Sequence, residues 1–148
     1  MKEKYNNRLI FKSKSIFFIV VLLGLQFIFS RSFAQASTWV AAKDADNLKN
    51  PLAGNTTVIA DAKTVYSSYC TPCHGDKGKG DGPAAPGLNP KPADHTSAAV
   101  QGESDGALYW KLTEGRSPMP GYKKILTDQQ RWELINYIRT LSKGAKKK

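Results

Sequence analysis

The chain has 148 residues, 22 of them basic and 12 acidic, with a formal net charge of +10, a size that bounds it to one small domain with a single core. The charge is unevenly placed: outside residues 1–36 there are 16 basic against 11 acidic side chains, and Lys143, Lys146, Lys147 and Lys148 supply four of that surplus of five. The folded body is therefore near neutral, which gives no basis for nucleic-acid binding, and with Cys70 and Cys73 as its only cysteines the chain has no disulfide framework.

Residues 1–36 read as an export signal. Lys2, Lys4, Arg8, Lys12 and Lys14 form a basic stretch, Ile16–Phe29 an apolar run broken only by Gly24 and Gln26, and Ala34-Gln35-Ala36 the small-residue pattern after which cleavage is expected. The apolar run of 14 residues is short of the roughly 20 needed to cross a bilayer, so membrane association follows only if the segment is not cleaved. No cysteine follows the run, which argues against a lipid anchor. Ser37–Thr57 contains Asn50-Pro51 and Gly54-Asn55 among the isolated apolar residues Trp39, Val40, Leu48 and Leu52, the composition of an extended arm laid over the body.

The domain proper is expected over residues 58–142. Asp61–Tyr69 places Val65 and Tyr69 at i, i+4 with Tyr66 beside them, predicting a helix that runs into Cys70-Thr71-Pro72-Cys73-His74. This C-x-x-C-H spacing is the one that attaches a c-type haem. The two thiols add across the haem vinyl groups as thioethers, and the histidine after the second cysteine is held under the iron as an axial ligand. A thioredoxin-like dithiol fits less well, since it starts a helix after a buried strand, whereas Asp61–Tyr69 is polar and helix-like. A structural zinc site needs four ligands, and the only other candidate is the isolated His95. Export agrees with the haem, which is attached outside the cytoplasm, and two cysteines limit the chain to one covalent haem c.

Gly75–Thr96 carries five glycines and four prolines, a composition that predicts a loop; one this long needs something to organise it, and a haem edge would serve. Asp105 is expected to cap a short helix, Gly106–Glu114, stopped by Gly115. The last element is the clearest. Thr127 and Gln130 form a capping box, Trp132, Leu134, Ile135, Tyr137, Ile138 and Leu141 make an apolar face at helical spacing, and Lys143 with Gly144 closes the helix. Residues 143–148 form a Lys-rich tail, read as a solvated end. No strand pattern or internal repeat is present, so the body is predicted to be mostly α.

The sixth iron position separates a carrier from a gas binder or peroxidase. Beyond the signal, the chain offers one methionine, Met119, and one spare histidine, His95. Met119 lies between Pro118 and Pro120 in a polar loop joining two predicted helices, where it has no helical face to fill, and this favours it over His95.

In the order of its parts (helix into C-x-x-C-H, Gly/Pro loop, short helix, Met-Pro loop, amphipathic C-terminal helix) the chain resembles the class I c-type cytochromes over roughly Ala60–Leu141. The resemblance implies a small helical domain wrapped around one haem, with His74 and Met119 on the iron and Tyr66 packed across Leu134 and Tyr137. Ala62 stands where that family usually has glycine, implying a slightly wider crossing of the terminal helices. The family also has a proline whose carbonyl accepts the hydrogen bond of the ligand histidine; Pro86 has the spacing of its longer members and Pro83 that of the shorter, and Pro86 is preferred. Arg116 and Tyr122 are candidates to bind the haem propionates, while Tyr109 and Trp110 read as core or haem lining.

The function expected is one-electron transfer in an exported respiratory or other redox chain of the bacterial periplasm. A monomer is expected, passing electrons between redox partner proteins; a filled sixth site would keep substrates from the iron, so no enzymatic activity is expected. Two alternatives stand beside this reading: a dedicated subunit of a larger respiratory complex, docked through the arm and the lysine tail, and a haem peroxidase or gas sensor in which Met119 leaves the iron.

Overall fold

The computed structural model describes residues 39–143; the segment 1–36 expected to be an export signal and the tail beyond Lys143 lie outside them. Among the described residues there are α1 (Ile59–Tyr69), α2 (Thr71–His74), α3 (Ala98–Gln101), α4 (Asp105–Glu114) and α5 (Asp128–Lys143), with short 3-10 turns at Ala45–Asn47 and Ala85–Gly87. The only β-pairing among them is an isolated bridge between Arg116 and Met119. The mostly α expectation holds.

The core is built where α1 crosses α5. Leu134 and Ile135 are 0% exposed and Tyr66 1%, and the Tyr66 and Tyr137 rings meet with centroids 5.0 Å apart and planes tilted by 56°, as the resemblance implied. Ala62 is also fully buried, so a small side chain suffices where the helices approach. At the start of α5, the Thr127 N–H donates to Gln130 Oε1 at 3.0 Å and the Gln130 N–H to Thr127 Oγ1 at 3.2 Å, the reciprocal pairing of a capping box.

Two elements differ from expectation in instructive ways. The cap of α4 is Ser104, not Asp105: Ser104 has the extended backbone a cap needs, and its Oγ accepts from the Ala107 N–H at 3.0 Å. Asp105 instead occupies the first turn, where its carboxylate meets Arg139 of α5 at 2.8 Å and Asn50 Nδ2 at 2.8 Å. Residues 40–57, expected to be an extended arm, are folded into turns and tied to the body. Asn136, buried on α5, donates to the Leu52 carbonyl at 2.5 Å and accepts from Asn50 at 2.8 Å. Gly106 leaves room for this segment: a Cβ there would lie 2.1 Å from the Ala45 carbonyl oxygen and 2.7 Å from that of Leu48.

Candidate functional site

Local backbone geometry brings the C-x-x-C-H residues together. Cys70 ends α1, with its N–H on the Tyr66 carbonyl at 2.8 Å, and its own carbonyl accepts from the His74 N–H at 2.8 Å. Pro72 sits in the first turn of α2, where a missing N–H costs nothing, and Gly75, at φ +75, stops the helix in a conformation that favours glycine. Cys70 and Cys73 thus stand one helical turn apart on the same face, both as free thiols, with His74 buried directly after them.

The proton on His74 can be placed. Its Nδ1 lies 2.9 Å from the Ala93 carbonyl oxygen, and since a carbonyl only accepts, Nδ1 carries the hydrogen and the neutral ring presents its lone pair at Nε2. Burial lowers the His74 pKa, with the Ala93 bond opposing, so the ligand-competent neutral form is the one favoured at neutral pH. Burial, with Cys73 beside it, pushes the Cys70 thiol up to about 12.

The acceptor for His74 is therefore Ala93 and not Pro86. Pro86 is exposed in the 3-10 turn Ala85–Gly87, and the route of the Gly/Pro loop explains why. Its first half wraps the motif backbone, with Gly80 N–H on His74 O at 2.8 Å, Gly82 N–H on Cys73 O at 3.1 Å and Ala84 N–H on Pro72 O at 2.9 Å. A Cβ on Gly82 would lie 2.5 Å from the carbonyl oxygens of both Thr71 and Pro72. The second half returns through His95 N–H on Gly78 O at 2.6 Å, and this return carries the Ala93 carbonyl to His74.

His95 comes with it. Its ring stacks on His74 with centroids 4.0 Å apart and planes 19° from parallel, and burial followed by the proximity of His74 pushes its pKa down to about 3. His95 thus lies flat against the face of His74. Met119, the residue expected at the sixth position, lies on the loop that follows α4. Met119 is partly buried against the apolar cluster that contains Cys70, Leu112 and Tyr122, and its loop is pinned by paired bonds, Arg116 N–H to Met119 O at 3.0 Å and Met119 N–H to Arg116 O at 2.9 Å.

Of the residues considered for the propionates, Tyr122 is corrected. Its hydroxyl donates to the Tyr69 carbonyl at 3.0 Å, and burial first, then Cys70, pushes its pKa up to about 12; its one proton is committed to the end of α1. Arg116 stays a candidate, partly buried at the entrance to the Met119 loop. Tyr109 stacks on Trp132 at 3.9 Å and belongs to the α4–α5 contact.

The residues fit a covalently held haem. Two thiols and an imidazole with its lone pair at Nε2 lie in a single turn, the donor set that would tether and ligate such a group, and Thr71 Oγ1 in that turn is buried with no hydrogen-bond partner within the protein, a condition that costs about 1–3 kcal/mol. The sequence profile of the cytochrome c family matches residues 59–142. No curated protein matches the chain. Among solved structures, a chain of the reducing HAO-like protein complex of Kuenenia stuttgartiensis is 33% identical with a TM-score of 0.56, over 64% of this chain and 49% of that one. The present chain thus spans about half the length of that neighbour.

Proposed function

The chain belongs to the cytochrome c family, and from that premise we propose that it is a monohaem, His/Met-ligated one-electron carrier working outside the cytoplasm. The observation that carries the reading is the His74 Nδ1 hydrogen bond to Ala93, which leaves Nε2 as a metal donor beside two thiols in one turn. When bound, the haem supplies an iron that exchanges one electron between its ferric and ferrous states. Cys70 and Cys73 tether it, Ala93 holds the proton on Nδ1 and so raises the basicity of the ligand nitrogen, and the Met119 thioether fills the sixth position. A thioether ligand and burial among apolar side chains both favour the ferrous state and raise the potential. Arg116 is proposed as a propionate partner, and residues 1–36 as the signal that sends the chain to the bacterial periplasm.

An optical redox titration of the purified holoprotein tests this: a single reversible one-electron transition is expected, with no rapid carbon monoxide binding to the reduced form at neutral pH. Rapid binding would instead identify an open iron, as in a gas sensor or peroxidase. One observation favours a second reading, a dedicated electron-transfer subunit: the structural neighbour is a chain of a protein complex. A stable partner copurifying with the native protein would support that role.

A further inference from the structure

The hydrogen bond to Ala93 fixes one point on the His74 ring. A ring joined to a metal through Nε2 keeps one soft freedom, rotation of its plane about the bond to the metal, and a flat neighbour pressed on its face is what removes it. His95 is such a neighbour, stacked at 4.0 Å and within 19° of parallel. It is itself held from several directions. Its Nδ1 lies 3.0 Å from the Tyr66 hydroxyl, and the Tyr66 ring meets it edge-on at 5.8 Å. Its N–H donates to the Gly78 carbonyl at 2.6 Å, and its carbonyl accepts at 2.6 Å from the Gln101 side-chain amide, which also reaches the Ile138 carbonyl of α5 at 3.1 Å. Gly78, at φ +70, closes the enclosure: a Cβ there would lie 3.1 Å from His95 Cβ and 2.7 Å from Leu141 Cδ1. Tyr66 of α1 thus holds the ring, and Gly78 of the Gly/Pro loop and Gln101 of α3 hold the backbone, of a residue whose imidazole covers the face of His74.

We propose that His95 is a positioning residue for the haem ligand His74, setting the plane of the ligand ring by face-to-face stacking that the Tyr66 hydroxyl holds in register with the α1–α5 crossing. The proposal rests on His74 as the axial ligand. Its consequence is electronic. The plane of an axial imidazole splits the iron orbitals that carry the unpaired spin of a ferric low-spin haem, and so sets both the spread of the g-values and the pattern of haem methyl shifts. A ligand plane held by stacking gives one defined pattern; a loosened plane gives a shifted or multiple one.

The test uses ferric holoprotein with His95→Ala, His95→Phe and Tyr66→Phe, read by electron paramagnetic resonance, by the haem methyl proton shifts and by the midpoint potential. His95→Ala is expected to change the g-value spread and the order or number of methyl resonances and to move the potential. His95→Phe, which restores a flat ring, is expected to bring the pattern back towards that of the parent, and Tyr66→Phe, which removes only the hydroxyl, to cause a smaller change in the direction of His95→Ala. An unchanged pattern in His95→Ala, with stability alone reduced, overturns the proposal, as does a His95→Phe pattern as altered as that of His95→Ala. If His95→Ala does not retain a folded haem protein, an unchanged Tyr66→Phe pattern overturns it and the predicted shift sustains it. A parent protein lacking a covalent haem with an imidazole-ligated spectrum would defeat the ligand reading itself, a different result from an unaltered variant.

Discussion

The ligand role proposed for Met119 is one that a single substitution separates from packing. Its loop is fixed by backbone pairing to Arg116, so Met119→Ala removes the thioether while leaving the loop's own hydrogen bonds in place. The expected outcome is loss of the weak near-infrared sulfur-to-iron charge-transfer band of the oxidised protein, a lower potential, and an iron open to external ligands; His95→Ala should retain that band. If the band survives Met119→Ala, the sixth ligand is another residue. Legibility in the sequence divides sharply among the residues of this site. Cys70, Cys73 and His74 are legible because their chemistry is written in consecutive residues. Ala93 is not, because it acts through a carbonyl that every residue possesses, and only the path of the loop brings that one to His74. His95 could be seen as a spare histidine, but its neighbours Tyr66 and His74 are distant along the chain or across a loop that no periodicity predicts. Tyr122 misled for the converse reason: an aromatic with a hydroxyl near the Met119 loop suggests a ligand contact, and the hydroxyl satisfies the last turn of α1 instead.

Among the elements, the α1–α5 crossing has the most stability to lose. Leu134 is completely buried between the helices, so Leu134→Ala is expected to destabilise the holoprotein by about 2–5 kcal/mol in chemical denaturation, with little change in the haem spectrum of the folded state, since neither ligand is touched. A loss below about 1 kcal/mol, within the range of an exposed site, would place Leu134 outside the crossing. The segment before α1 makes a second prediction. A methyl group at Gly106 would lie 2.1 Å from the Ala45 carbonyl, so Gly106→Ala should force residues 45–48 off α4, lowering stability by about 1–3 kcal/mol and opening residues 40–57 to proteolysis while the haem stays attached; unchanged protease resistance would show that the segment is not seated there. Helix α5 is legible because spacing and cap are local signals, α1 through its spacing alone, and α4 through its Gly115 stop, although its cap is Ser104 rather than Asp105. The four-residue α3 is too short to show a period, and the folding of residues 40–57 depends on Asn136, 84 positions from Leu52, and on Gly106, which faces Ala45 and Leu48; both look unremarkable where they stand.

At the scale of the whole molecule, the first question is what the finished protein contains. Thioethers do not dissociate, so the haem should stay with the polypeptide through denaturation and acid–acetone extraction. The single C-x-x-C-H uses the only two cysteines of the chain, and one covalent haem is therefore the expected complement. Cleavage after the Ala34-Gln35-Ala36 pattern at the end of the apolar run would leave residues 37–148. Intact mass spectrometry of protein purified from its native compartment is therefore expected to give the mass of the Ser37–Lys148 polypeptide plus one haem. Haem lost into the organic phase would remove the thioether assignment. A mass that includes residues 1–36 together with the haem would leave the redox site as described but convert the diffusible carrier into a membrane-anchored one, because the apolar run would then persist at the membrane, and its partners would have to lie within reach of that tether.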